Sequence, residues 1–214
     1  ICDKESLLAD SQSKMHSQIA EAVHIYNFYL SFWMGDYAEA AKASDIATSF
    51  PSAEMPKVRL MYNIFYRGIV AFDLYRNGKG EKWLLEGSRM LDQVEIWVRN
   101  SNPILENKLA LLKAERYASM HNVVEAIESY ESSIKIARDK GYIHEQGLAY
   151  ECMGKYLMSA VEAEDAERCF ARAHVCYTQW GAKAKANKLR DDWNLGSGAA
   201  SGRASTTAKR NRDE

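Results

Sequence analysis

Residues 150–177 read YECMGKYLMSAVEAEDAERCFARAHVCY. Tyr150, Met153, Gly154 and Leu157 are spaced by three and four, and so are Ala166, Phe170, Ala173 and Tyr177. That spacing puts each set on one face of a helix. A short polar break separates the two sets, so the stretch predicts a hairpin of two antiparallel helices.

Working outward, the same pattern recurs. Forty residues earlier the corresponding places hold Ala110, Lys113, Ala114 and Tyr117, then Ala126, Tyr130, Ser133 and Ala137, and only Lys113 departs strongly. Forty-three residues before Ala126 lies Trp83, followed by Gly87, Met90, Val94 and Trp97 at second-helix spacing. A further forty-three residues back lies Ala40, preceded by Gly35-Asp36-Tyr37 and followed by Ser44 and Ala47. Four hairpins are predicted, at about 16–50, 57–99, 104–139 and 143–179, with a closing helix near 182–194. Each hairpin leaves one apolar side uncovered, and stacking on the next covers it. Small residues at Gly68, Ala114 and Gly154 allow a first helix to approach its neighbour closely. The chain is therefore expected to be all-α, a repeat domain over 1–195. Beyond Gly196, GSGAASGRASTTAKRNRDE has almost no large apolar side chain and predicts a disordered polar tail over 196–214. Its Lys209, Arg210 and Arg212, beside Asp213 and Glu214, read as a solvated end.

Composition agrees with a packed body. Of 214 residues, 47% are hydrophobic and 27% charged, and Pro51, Pro56 and Pro103 are the only prolines, so long helices are permitted. A net charge of −1 offers no dense positive surface for nucleic acid and no polybasic patch for a membrane. The uncharged run Ala22–Met34 is shorter than the roughly 20 apolar residues of a membrane span. Cys2, Cys152, Cys169 and Cys176, without a close C-x-x-C pair, read as reduced thiols of an intracellular, cytoplasmic protein. Isoleucine at position 1 reads as the start of an excerpt from a longer polypeptide.

The small residue in helix one followed by Ala166, Phe170 and Ala173 in helix two resembles the tetratricopeptide repeat. GDYAEAAKASDIA at 35–47 resembles its turn and second helix. That resemblance implies a right-handed α-solenoid, here with a longer period. GYIHEQGLAYE at 141–151 and CYTQWGAKAK at 176–185 are similar to the closing part of the helical-repeat region of large multidomain AAA/STAND-type ATPases. SNPILENKLALLKAE at 101–115 and YNFYLSFWM at 26–34 resemble the same region. In such chains a kinase-like or cyclase domain and the ATPase precede the repeats, and GAF and histidine-kinase domains often follow. The resemblance implies a C-terminal regulatory arm of a signalling ATPase and transfers no ATPase or kinase residue to any position here. The polar stretch after Leu195 departs from the fullest form of that architecture.

Motifs for chemistry are weak. Asn77-Gly78-Lys79-Gly80-Glu81 lacks the length and the hydroxyl of a phosphate-binding loop and reads as a hairpin turn. His144-Glu145 lacks the second histidine, four residues after the first, of a zinc protease, and reads as a helix-start contact or an inter-hairpin hydrogen bond. Cys169 and Cys176 lie on the apolar side of their helix, as small buried thiols rather than metal ligands. Arg116 to His121 and Arg168 to His174 match the loose arginine-then-histidine spacing of helical ribonucleases of the HEPN group, the one enzymatic alternative, which the near-neutral charge disfavours. No catalytic, cofactor or metal site is assigned.

What is left is a surface. In tetratricopeptide-like stacks the first helices line the concave side. That rule selects Ala22, Ile25, Tyr29, Phe32 and Trp33, then Tyr62, Phe65, Ile69 and Phe72, then Lys108, Leu111 and Glu115, then Leu148, Glu151, Lys155 and Met158. The proposed partner-binding groove is Tyr29, Phe32, Trp33, Tyr62, Phe65, Phe72, Lys108, Glu115, Glu151 and Lys155. Exposed, the aromatic members call for a protein or peptide partner; the alternative is that these rings bury against each other or against an upstream domain. A non-catalytic interaction or regulatory module is expected, with no cofactor, no nucleic acid and no membrane. A self-associating homo-oligomeric scaffold is a further possibility, because open ends of a repeat stack invite docking.

Overall fold

The computed structural model describes residues 4–50, 57–100, 102–159 and 163–195. Among them there is no strand. Nine α-helices follow one another: α1 (Lys4–Trp33), α2 (Tyr37–Ser49), α3 (Lys57–Arg76), α4 (Lys82–Arg99), α5 (Glu106–Ser119), α6 (Val123–Asp139), α7 (Ile143–Ser159), α8 (Ala163–Trp180) and α9 (Lys183–Asp192). A single 3-10 turn at Pro103–Leu105 leads into α5. The helices form antiparallel pairs, α1/α2, α3/α4, α5/α6 and α7/α8, stacked as a right-handed solenoid and closed by α9. The first hairpin begins at Lys4, earlier than the expected position 16, because Lys4–Ser17 carries no glycine or proline to stop the helix. The polar segment 196–214 and Cys2 lie outside the described residues.

One turn design recurs inside three hairpins. Gly35 (φ 77°) follows α1, Gly78 (φ 71°) follows α3, and His121 (φ 59°) holds the same place after α5. At each, two amides turn back onto the carbonyls of the last helical turn, as when Gly78 donates to Tyr75 O at 2.9 Å and Lys79 to Leu74 O at 3.0 Å. This is the left-handed helix stop, which favours glycine. In the first hairpin Asp36 then caps α2, its Oδ1 accepting the Glu39 amide at 3.0 Å.

Within hairpins, a glycine on one helix receives an aromatic ring from the other. A Cβ on Gly154 in α7 would come within 2.7 Å of the Phe170 ring in α8, and one on Gly87 in α4 within 2.8 Å of Phe72 in α3. Between hairpins, Gly68 of α3 lies so close to α5 that its Cβ would meet Leu112 at 2.7 Å. The departure at Lys113 is explained here: its ammonium reaches back to Glu95 of α4 at 3.0 Å.

The coil is tight enough for its first and last hairpins to meet. Trp33 at the end of α1 lies 6.1 Å from Tyr177 and 5.3 Å from Trp180 of α8, measured between ring centroids. Lys155 of α7 donates to the hydroxyl of Tyr37 in α2 at 3.3 Å. No described helix is long and apolar enough to cross a membrane.

Candidate functional site

The concave side separates the expected groove into three parts. Phe32, Phe65 and Phe72, with Ile25, Ile69, Leu111 and Leu148, are core residues and form no surface. The tight curvature is the reason: first helices converge on the inside of the coil, so large rings there meet each other before they meet solvent. Phe32, for instance, packs 4.4 Å from the Tyr66 ring of the next hairpin.

Lys108, Glu115, Glu151 and Lys155 belong to ionic clusters beneath that surface. Lys108 and Glu145 pair at 2.6 Å across α5 and α7, both buried, and Asn107 donates its amide to the same carboxylate at 2.5 Å. Glu145 thus makes the inter-hairpin contact expected of it. Burial drives the Lys108 ammonium below its usual range, with Glu145 opposing. Burial also works to raise the Glu145 carboxyl, but His144, Lys108 and Asn107 together hold it below the ordinary value. Glu115 accepts from Arg76 at 2.6 Å and from the Tyr130 hydroxyl at 2.8 Å. Glu151 accepts from Tyr177 at 2.7 Å and pairs with Lys155 at 3.1 Å and Lys185 at 2.8 Å. Burial alone would raise its carboxyl; the two ammonium groups and the hydrogen bonds from Lys185 and Tyr177 outweigh it and bring it down to about 2. These carboxylates are satisfied by protein groups: Glu145 and Glu115 tie neighbouring hairpins, and Glu151 ties the last hairpin to α9.

Tyr29, Trp33 and Tyr62 are half-buried and come together. With Tyr66, His144, Trp180, Val58 and Arg59 they line a cavity of about 500 Å³. Tyr66 sits edge-on to Tyr29 and Trp33, at 5.7 and 5.8 Å. The His144 ring stacks on Trp180 at 5.0 Å. Burial pushes the Tyr29 phenol up to about 12 and raises Tyr62 as well, so both hydroxyls keep their protons at neutral pH. The charge at the rim is answered within the protein, where Arg59 faces Glu21 at 3.8 Å, and the His144 ring lies 3.5 Å from the Glu145 carboxylate. The wall is therefore aromatic, and several of its polar tips are engaged within the protein: the Tyr29 hydroxyl donates to Asn63 Oδ1, Tyr62 hydrogen-bonds Glu145 and the Trp33 indole hydrogen-bonds Tyr66. Its residues come from α1, α3, α7 and α8, so it exists only because the ends of the coil meet.

Concave-side spacing does not select Tyr66, His144 and Trp180. Tyr66 is four residues after Tyr62 and so on its face, a signal present in the sequence. His144 and Trp180 have no such signal, because their contribution depends on how far the coil turns.

Arg116 and His121 are exposed, and His121 is the turn residue after α5. Arg168 pairs with Asp165 on the same helix, and His174 lies about one and two-thirds turns further along α8. Cys169 and Cys176 are buried, and burial raises both thiols. Among the described residues no cluster of histidine, cysteine and carboxylate side chains is arranged to hold a metal ion.

Compared with models of protein families, with curated proteins and with solved structures, the chain matches none.

Proposed function

We propose that this helical-repeat domain is a non-catalytic binding module whose concave aromatic cavity grips a segment of a protein partner. The observation that carries this reading is the cavity of about 500 Å³ lined by Tyr29, Trp33, Tyr62, Tyr66, His144 and Trp180. Aromatic rings supply large contact areas at small entropic cost and are the favoured anchors of protein interfaces. Because Arg59 is already paired with Glu21, the fitting segment is neutral there, with apolar or proline side chains against the rings.

The test is selection of peptides from a random displayed library on the whole chain, followed by affinity measurement on Trp180→Ala and Tyr62→Ala. Enriched peptides that are apolar and lose at least about tenfold in affinity support the reading; each lost aromatic anchor costs about 1–2 kcal/mol. No enrichment, or peptides that bind both variants unchanged, refutes it.

The same proposal places the module as the C-terminal arm of a multidomain signalling ATPase, on the likeness of residues 141–151 and 176–185 to the closing part of that repeat region. Sequencing the transcript upstream of Ile1 decides this. A G-x-x-x-x-G-K-[ST] loop in the same reading frame supports it, and a start codon directly ahead of Ile1 removes it.

A further inference from the structure

The second helices lie on the outer side of the coil, and the charges on them change sign along the stack. Gly87, Tyr130 and Phe170 are equivalent positions in α4, α6 and α8. Counted from them, Lys135 and Arg138 of α6 stand where α4 has Asp92 and Glu95. Arg168 and Arg172 of α8 stand where α6 has Glu128 and Ser132. Three of these four places hold an acid in one hairpin and a base in the next, so the repeat itself does not require the cations.

All four cationic side chains line one groove of about 590 Å³ between α6 and α8. They are exposed, two on each wall, and the two on a wall are about one helical turn apart. Ile134 of α6 with Met153 and Leu157 of α7 forms an apolar floor. Two carboxylates, Glu131 and Asp165, share the lining. Asp165 answers Arg168, and Arg172 donates to the Tyr150 hydroxyl at 3.1 Å. Arg138 faces Asp139 at 3.8 Å, and Lys135 has no ion-pair partner among the described residues. A positive surplus over an apolar base remains. The groove between α2 and α4 also carries cations, Lys82 and Arg89, but its Arg67 is clamped between Asp45 and Glu86.

We infer that the groove between α6 and α8 is a second binding site, for an acidic segment of a partner protein whose Asp and Glu side chains meet the four cations and whose apolar side chains reach the floor. Charge complementarity selects this occupant. The cations are strung along two walls rather than gathered at one point, so separate carboxylates fit them better than a single phosphate group. A nucleic acid strand following α6 and α8 past the groove would meet exposed Glu128 and Asp139 on one helix and Glu164 and Glu167 on the other. The segment 196–214 of the chain itself has the wrong sign, with Arg203, Lys209, Arg210 and Arg212 against Asp213 and Glu214. The groove shares no residue with the aromatic cavity.

A random displayed peptide library selected on the whole chain tests this site separately from the cavity. The expected result is a second family, rich in Asp and Glu among apolar residues, that keeps its affinity on Tyr62→Ala and Trp180→Ala. As synthetic peptides its members bind at least about tenfold more weakly at about 500 mM than at about 50 mM salt. Lys135→Glu with Arg168→Glu weakens them by about thirtyfold or more. Lys82→Glu with Arg89→Glu makes the same change of charge in the groove between α2 and α4 and leaves their affinity within about twofold. All four substituted side chains are exposed, so circular dichroism and melting temperature stay at the wild-type values. Absence of an acidic family overturns the inference, as does an acidic family that binds the Lys135–Arg168 variant unchanged or weakens equally on the Lys82–Arg89 variant. An oligouridylate of about 20 nucleotides that displaces the peptides at equal concentration overturns it too. Loss of the apolar family alone strikes only the cavity, and loss of the acidic family alone only this groove.

Discussion

His121 holds a left-handed backbone at φ 59°, in the place that Gly35 and Gly78 fill in the two preceding hairpins. A side chain with a Cβ pays about 1 kcal/mol or more there. Replacement by glycine is therefore expected to stabilise the chain by about 1 kcal/mol, read as a higher urea midpoint at unchanged slope. At Gly154 the change runs the other way. Alanine ordinarily favours a helix, but its Cβ would meet the Phe170 ring, which is itself held against Trp193. Gly154→Ala is expected to lower stability by about 1–3 kcal/mol, seen as a lower melting temperature. Glu151 makes the fold acid-sensitive. Its carboxyl lies at about 2 in the folded chain, below the ordinary 4.5. The depressed value means that its contribution, about 3 kcal/mol, is complete above pH 4.5 and is lost as pH falls from there through about 2. Glu151→Gln is expected to be less stable at pH 7 and to show a shallower loss of stability between pH 5 and pH 2 than the wild type.

At the scale of elements, hairpins are joined by apolar contact and by buried ion pairs together. Lys108 and Glu145 tie α5 to α7. Removing one partner leaves an uncompensated charge in the interior, so Lys108→Met is expected to cost about 3–5 kcal/mol, whereas Lys108→Met with Glu145→Leu recovers only part of that loss, because buried Asn107 then loses the carboxylate it donates to. Denaturant titration of the two single variants and the double variant checks the pair. The helices were legible as elements because spacing by three and four runs through Tyr150–Leu157 and Ala166–Tyr177 without a proline. The buried pairs were not: a lysine at an inward register position looks the same in sequence whether it faces a groove or a glutamate of the next hairpin.

Across the whole molecule, the contact of Trp33 with Trp180 and of Lys155 with Tyr37 couples the first hairpin to the last. A linear stack would propagate stability only between neighbours. Here Trp33→Ala is expected to speed amide hydrogen exchange at the end of α8 as well as in α1 and α2, while α5 and α6 keep their protection. Uniform acceleration in all helices, or none in α8, would show that the ends are not coupled.

Periodicity and turn residues determined, with no tertiary knowledge, that the chain is helical, where its hairpins turn and that the hairpins stack, because local spacing fixes which face of each helix must leave water. They also placed Tyr29, Trp33 and Tyr62 on the concave side, where the cavity forms. Only the tertiary structure decided that Phe32, Phe65 and Phe72 are core, that Lys108, Glu115 and Glu151 are inward ties, and that His144 and Trp180 complete the aromatic wall. Those outcomes depend on curvature, the accumulated rotation from one hairpin to the next, and no single hairpin's sequence contains that sum.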